Sequence, residues 1–161
     1  MSDFHFVMPT GSTALAGGPI ADFTDSGTVS DVVCMSKYGE AYFMVFWGVG
    51  TTGTVTITAV PVDDASKSTA TTAIPFEYKR VSATETNTAW TSSSSLATTA
   101  GSSQAYIIKV KAENLPTVSS VVYEYVYLNI AQLVNDPLLG GCLIMMAKPR
   151  YNEATLDAVT A

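Results

Sequence analysis

Charged residues are scarce in this chain of 161 amino acids. They make up 14% of the sequence, whereas soluble domains usually carry about 25%. Only eight residues are basic, they are scattered, and the formal net charge is −6. Because nucleic acid is bound by clustered lysines and arginines, this composition argues against nucleic acid as a partner. So little charge suits a surface that is largely packed against other protein.

Reactive side chains are equally few. A serine-histidine-acid triad would need His5, the single histidine, which lies in an unanchored N-terminal segment. Cys34 and Cys142 lie among apolar neighbours in predicted strands, which favours small buried side chains over a disulfide, and their spacing offers no metal site. Glu77 and Glu124 could form a carboxylate pair only if they met in space, and each is more simply paired with a lysine or solvated. The sequence therefore predicts no catalytic residue, no metal and no cofactor, and points to a structural or binding protein.

Long hydrophobic runs are also missing. The longest, residues 41–49 and 138–147, are about half of the roughly 20 residues that a membrane-spanning helix requires. The first residues show no basic region followed by a hydrophobic one, the pattern of a secretion signal. We therefore expect no membrane partner and synthesis in a cytoplasm.

What the sequence does contain is β-strand pattern, above all in residues 40–60. Residues 41–49 are apolar at nearly every position, as expected of a strand covered on both faces, and include Trp47 as a predicted core aromatic. Residues 54–59 alternate threonine with Val, Ile and Ala at the period of a half-buried strand. Three glycines in residues 48–53 indicate a turn, since glycine adopts positive φ at low cost. The pattern predicts one long β-hairpin around which the chain is organised.

The remaining chain predicts an all-β fold. Turn residues separate further predicted strands, and no convincing helix pattern occurs. These strands are expected near residues 20–23, 30–35, 74–81, 88–91, 105–112, 121–134 and 138–147. We expect an antiparallel β-sandwich or jelly-roll-like barrel at residues 31–151, with an extended N-terminal arm at 1–30 and a C-terminal tail at 152–161.

Tyrosines mark a possible interface on the longest regular run, residues 121–134. Three of them would project to one side of a single strand. Tyrosine has an apolar body and a polar tip, so such a row commonly lines an interface or the rim of a core; core packing is the competing interpretation for each one. Together with the arm and the tail, the row predicts these interface residues: Phe4, Phe6, Tyr123, Tyr125, Tyr127 and Tyr151.

A family resemblance rests on the order and spacing of several stretches between residues 36 and 151. They are residues 37–39, 43–57, 74–80, 127–130, 140–147 and 149–151. In these stretches the chain resembles small β-sandwich virion proteins of tailed bacteriophages, which decorate or cement the head. The resemblance implies a non-enzymatic protein, made in the bacterial host, that binds the major capsid protein on the outer capsid surface. It also implies a homo-oligomer, with a trimer favoured, that stabilises the shell by bridging its subunits.

A different class of protein competes with this interpretation. The same fold could serve as a head fibre, neck or tail component, or as a host-surface module whose Ser/Thr-rich segment, residues 82–104, binds a glycan. A hydrolase is a distant third. A cement protein would co-sediment with heads in many copies, whereas a receptor-binding module would be present in few copies and would retain host cells or glycan beads.

Overall fold

The computed structural model describes residues 5–7, 21–24, 28–82 and 89–150, and this part of the chain is built almost entirely of strands. A single 3₁₀ turn, Ala112–Asn114, interrupts them. The strands are β1 (His5–Val7), β2 (Ala21–Asp22), β3 (Thr28–Val29), β4 (Val33–Cys34), β5 (Tyr38–Val49), β6 (Thr54–Val62), β7 (Phe76–Ser82), β8 (Thr91–Ser93), β9 (Leu96–Ala97), β10 (Gln104–Lys111), β11 (Thr117–Val118), β12 (Val121–Val122), β13 (Tyr125–Val134) and β14 (Leu139–Pro149).

Two antiparallel sheets form a sandwich, which confirms the predicted fold class. The large sheet has the strand order β1-β14-β5-β10-β7-β8, with β2 also paired to β14. The small sheet has the order β3-β13-β6-β9, with β4 also paired to β13. The described parts of the predicted N-terminal arm are therefore strands at the edges of these sheets: β1 and β2 join the large sheet and β3 joins the small one.

The core lies between the two sheets and follows the period of two that the sequence predicts. In β6 and β10, alternate residues are buried along the whole strand. Trp47 is 2% exposed, which confirms it as a core residue. Its ring stacks on Tyr106 with 5.5 Å between ring centroids, and its Nε1 donates a hydrogen bond of 2.8 Å to the carbonyl of Gly101.

The predicted long hairpin is wrong, because β5 and β6 lie in different sheets. β5 pairs with β10 on one side and β14 on the other, whereas β6 pairs with β13 and β9. The glycine-rich connection carries the chain from one sheet to the other and contacts the segment before β14. Asp136 Oδ2 accepts hydrogen bonds from the hydroxyl of Thr51, the N–H of Thr52 at 2.7 Å and the N–H of Gly53 at 3.3 Å. Glycine is needed here for close approach, not for positive φ, which among the described glycines only Gly101 has.

The predicted continuous strand at residues 121–134 is also interrupted. β11 and β12 form a separate two-stranded hairpin, and the chain leaves strand geometry at residues 123–124 before β13 begins. The turn of this hairpin places Ser119 and Ser120 at φ values of 50° and 68°. Two consecutive positive φ values are typical of the tight turns that join hairpin strands.

Candidate interaction surface

The side of the large sheet that points away from the small sheet, called here the outer face, is apolar. In β5 the residues Ala41, Phe43, Val45 and Trp47 are fully buried in the core. The alternate residues Tyr42, Met44 and Phe46 must then project to the opposite side. Phe46 is 42% exposed there. The central strand of the large sheet thus carries large apolar side chains on both of its faces.

Strand register extends this character across the neighbouring strands. Residues directly opposite one another in paired strands share a face of the sheet. Beside Phe46 lie Ala105 and Gly141, beside Met44 lie Ile107 and Leu143, and beside Tyr42 lie Lys109 and Met145. Val81 continues the first row on β7, opposite Ala105. The two rows that contain Phe46 and Met44 form the apolar half of the outer face, with Lys79, opposite Ile107, as their one charged residue.

The apolar half is small. It spans four strands and two rows of side chains, and its seven apolar positions correspond, at strand and row spacings of about 4.8 and 6.8 Å, to about 230 Å² of sheet. Among these positions Phe46 is the exposed large side chain, and Met44, Ile107 and Leu143 are half-buried. The small sheet lies on the opposite side, and none of the strands in the described ranges packs over this area. The largest apolar patch on a typical monomer is about 300–600 Å², so the exposed ring of Phe46, more than the area, indicates a contact site.

Trp90 lies over the middle of the outer face. Its ring meets Tyr42 edge-on with 6.3 Å between centroids. Two ammonium groups flank the same ring, Lys109 Nζ at 4.5 Å and Lys79 Nζ at 4.9 Å from its centroid. Trp90 remains 39% exposed. A tryptophan held in place by cation–π contacts and still open to solvent has the character of an interface anchor.

The other half of the outer face is charged. Glu77 pairs with Lys109, and with Lys111 at 3.3 Å. Glu40 is buried and accepts hydrogen bonds from Lys148 Nζ at 2.6 Å and from the hydroxyl of Tyr42 at 2.7 Å. Burial by itself would raise the pKa of Glu40, but these two donors outweigh it and lower that pKa. Burial and the bond to Glu40 raise the pKa of Tyr42 to about 12.

A second exposed apolar group lies on the hairpin of β11 and β12. Val118, Val121 and Val122 are 44%, 40% and 55% exposed, and the hairpin pairs with neither sheet. It follows the 3₁₀ turn at the end of β10, so it lies at the same end of the sandwich as the charged half of the outer face. We call these three valines the hairpin patch.

The predicted tyrosine row does not form. Tyr123 lies outside β13 and is buried. Tyr125 and Tyr127 are half-buried on the side of β13 opposite its buried residues, as predicted, and the ammonium of Lys67 lies 4.6 Å from the centroid of the Tyr127 ring. The row is interrupted because the strand breaks before Tyr125, which leaves Tyr123 in the connecting segment.

The remaining predicted interface residues are Phe4, Phe6 and Tyr151. Phe4 and Tyr151 lie outside the described residues. Phe6 lies in β1, where its backbone pairs opposite Met145 of β14. Their role in an interface stays a prediction.

Sequence reasoning missed the residues that form the outer face, above all Phe46, Met44 and Trp90. A signal for the first two was present, since residues 41–49 lack polar positions on either face. The pattern was interpreted as a strand covered on both sides by its own domain. The sequence alone does not distinguish a strand that its own domain covers on both faces from a strand whose second face binds another molecule.

Chemical groups outside this surface are sparse. In the described ranges no cluster of three or more His, Cys, Asp or Glu side chains could hold a metal ion. Both cysteines are free, and complete burial raises the pKa of Cys142 to about 12, which makes its thiol unreactive. No helix in the described part of the chain has the length and apolar character needed to cross a membrane.

Comparison of the chain with protein-family models, with curated proteins and with solved structures gives no match in any of the three.

Proposed function

We propose that this protein is a structural virion protein of a tailed bacteriophage, a decoration or cement protein that binds the outer surface of the head. The observation that carries the proposal is the apolar outer face, which no described strand covers. Large apolar side chains on that face add nothing to the core between the sheets. Their benefit arises when another protein covers them.

The size of the patch fits attachment through several contacts. About 230 Å² of sheet is less than a third of the roughly 800 Å² that each partner contributes to a standard protein interface. A protein present in many copies, each touching more than one shell subunit, overcomes weak single contacts because the second contact is effectively intramolecular. The hairpin patch offers such a second contact. The major capsid protein is the proposed partner, with self-association into a homo-oligomer, for which a trimer is favoured.

The experiment is co-sedimentation with heads of the parent phage that lack this protein. We expect saturable binding at a copy number fixed by the symmetry of the shell, together with greater resistance of the decorated heads to heat. Bovine serum albumin at the same concentration is the control for trapping. Absence of binding to the heads at every protein concentration would refute the proposal.

One observation favours a glycan-binding module as the second candidate. A cleft of about 270 Å³ opens between the sheets, and the Ser/Thr-rich segment supplies part of its wall. Its lining combines the aromatic and polar groups that sugars contact: Tyr78, Arg80, Thr91, Leu96, Ala97, Thr99 and Tyr106. Retention on host cells or glycan beads, without binding to heads, would favour this candidate.

A further inference from the structure

Basic residues are concentrated at the outer face of an otherwise acidic protein. Among the described residues, the charged half and its rim hold five of the eight basic residues but three of the nine acidic ones. The basic residues are Lys79, Lys109, Lys111, Lys148 and Arg150, and the acidic ones are Glu40, Glu77 and Glu113. The other described residues include three basic and six acidic side chains. In the part of the chain that the structure describes, the outer face is therefore the positive face.

One ion pair on this face presents its positive member to solvent, whereas in the others the carboxylate is about as exposed as the lysine or more exposed. In the pair of Lys148 with Glu40, the lysine side chain is 68% exposed and the glutamate 8%. Glu77 is shared between Lys109 and Lys111, so two ammonium groups accompany one carboxylate. A partner that approaches the outer face meets an apolar area centred on Phe46 and, beside it, a cluster of lysines.

We propose that the outer face binds a protein surface of matching chemistry, an apolar centre bordered on one side by aspartate and glutamate. This inference rests on the proposed function, in which that surface belongs to the outside of the capsid shell. Two copies of this chain placed face to face could bring positive rims together, and opposed like charges are unfavourable. A second copy bound through the outer face on both sides is therefore not the proposed occupant.

The test separates the apolar centre from the positive rim. Phe46→Ser removes the exposed aromatic at the centre, with Leu133→Ser, 57% exposed on the small sheet, as its matched control. Lys79→Gln with Lys111→Gln removes two charges and leaves the pair of Glu40 with Lys148 in place. Its control, Lys37→Gln with Lys67→Gln, removes the same number of charges elsewhere on the protein. Each variant is first shown to melt like the wild type.

Binding to undecorated heads is then measured at several NaCl concentrations. Phe46→Ser should weaken binding about tenfold at every concentration, as truncation of a central aromatic anchor does. The double lysine variant should weaken binding at low salt and converge on the wild type near 1 M NaCl, where screening acts over about 3 Å. Both controls should bind like the wild type.

Other outcomes overturn the inference in distinguishable ways. If the wild type binds heads and the outer-face variants bind equally well, the inference fails and the proposed function stands. A wild type that binds no heads refutes both. Should sedimentation velocity show self-association that Phe46→Ser abolishes while head binding is unchanged, the occupant is a second copy. Binding to DNA of equal strength and salt dependence would make the positive rim a nucleic-acid site instead.

Discussion

The passage of the chain between the two sheets can be tested with a pair of glycine substitutions. Gly53 lies against the segment that leads into β14, and an alanine Cβ at this position would overlap the carbonyl oxygen of Asp136 and lie 3.0 Å from Leu138 Cγ. Neither group can retreat easily, because the Asp136 carboxylate is bonded to the same glycine-rich connection and Leu138 is fully buried. Gly48, five residues earlier, has no heavy atom within 4 Å of the corresponding position.

The two substitutions should therefore differ sharply in stability. Gly53→Ala is expected to cost about 3 kcal/mol, the upper end of typical overpacking penalties. For a domain of this size that corresponds to a fall in melting temperature of roughly 6–12 °C. Gly48→Ala should be neutral or stabilising by up to about 1 kcal/mol, because alanine loses less conformational entropy than glycine in a strand.

Urea denaturation followed by far-UV circular dichroism measures both changes on the same scale. Equal midpoints for the two alanine variants would refute the geometry, since a simple hairpin turn between β5 and β6 would leave Gly53 free of contact with Asp136. A Gly53→Ala variant as stable as the wild type would likewise contradict the close contact between Gly53 and Asp136.

Two further predictions concern the core and the connection between the sheets. Trp47→Ala should destabilise the protein by about 4 kcal/mol, as loss of a buried aromatic side chain does. Trp47→Phe should cost less, because phenylalanine keeps an aromatic ring against Tyr106 and loses only the hydrogen bond to the carbonyl of Gly101. Equal denaturation midpoints for Trp47→Ala and the wild type would contradict this prediction. The hydroxyl of Thr51 and nearby backbone N–H groups lower the pKa of Asp136 to about 2, below its ordinary value of 3.8. The ionised carboxylate of Asp136 thus contributes fully to stability above about pH 5, and this contribution is lost as the pH falls through the folded-state pKa. The difference in free energy of unfolding between the wild type and Asp136→Asn should therefore become smaller between pH 5 and pH 2. A gap independent of pH would contradict the assignment.

The local features of the fold could be predicted from sequence, and the long-range ones could not. Alternation in β6 and β10 identified their buried residues, because a period of two depends on the residues of the strand itself. The partners of β5 are β10 and β14, far along the chain, and a glycine-rich connection is compatible equally with a hairpin and with a passage between sheets. The positive face was invisible for the same reason, since its lysines come from separate strands and meet only through register.

Stability and assembly should be separable in this protein, because they use opposite faces of the same strand. In β5 the side chains of Phe43 and Val45 are fully buried in the core, so their loss costs folding free energy. Phe46 is next to them in sequence, but its side chain contributes little to the free energy of folding because much of it stays exposed to solvent. Selection for folding alone therefore gives no reason for a phenylalanine at this position, where a polar residue would serve as well. The partner proposed above would supply such a reason. The proposal then predicts that substitutions of Phe43 and Val45 lower stability, whereas substitution of Phe46 lowers binding to heads.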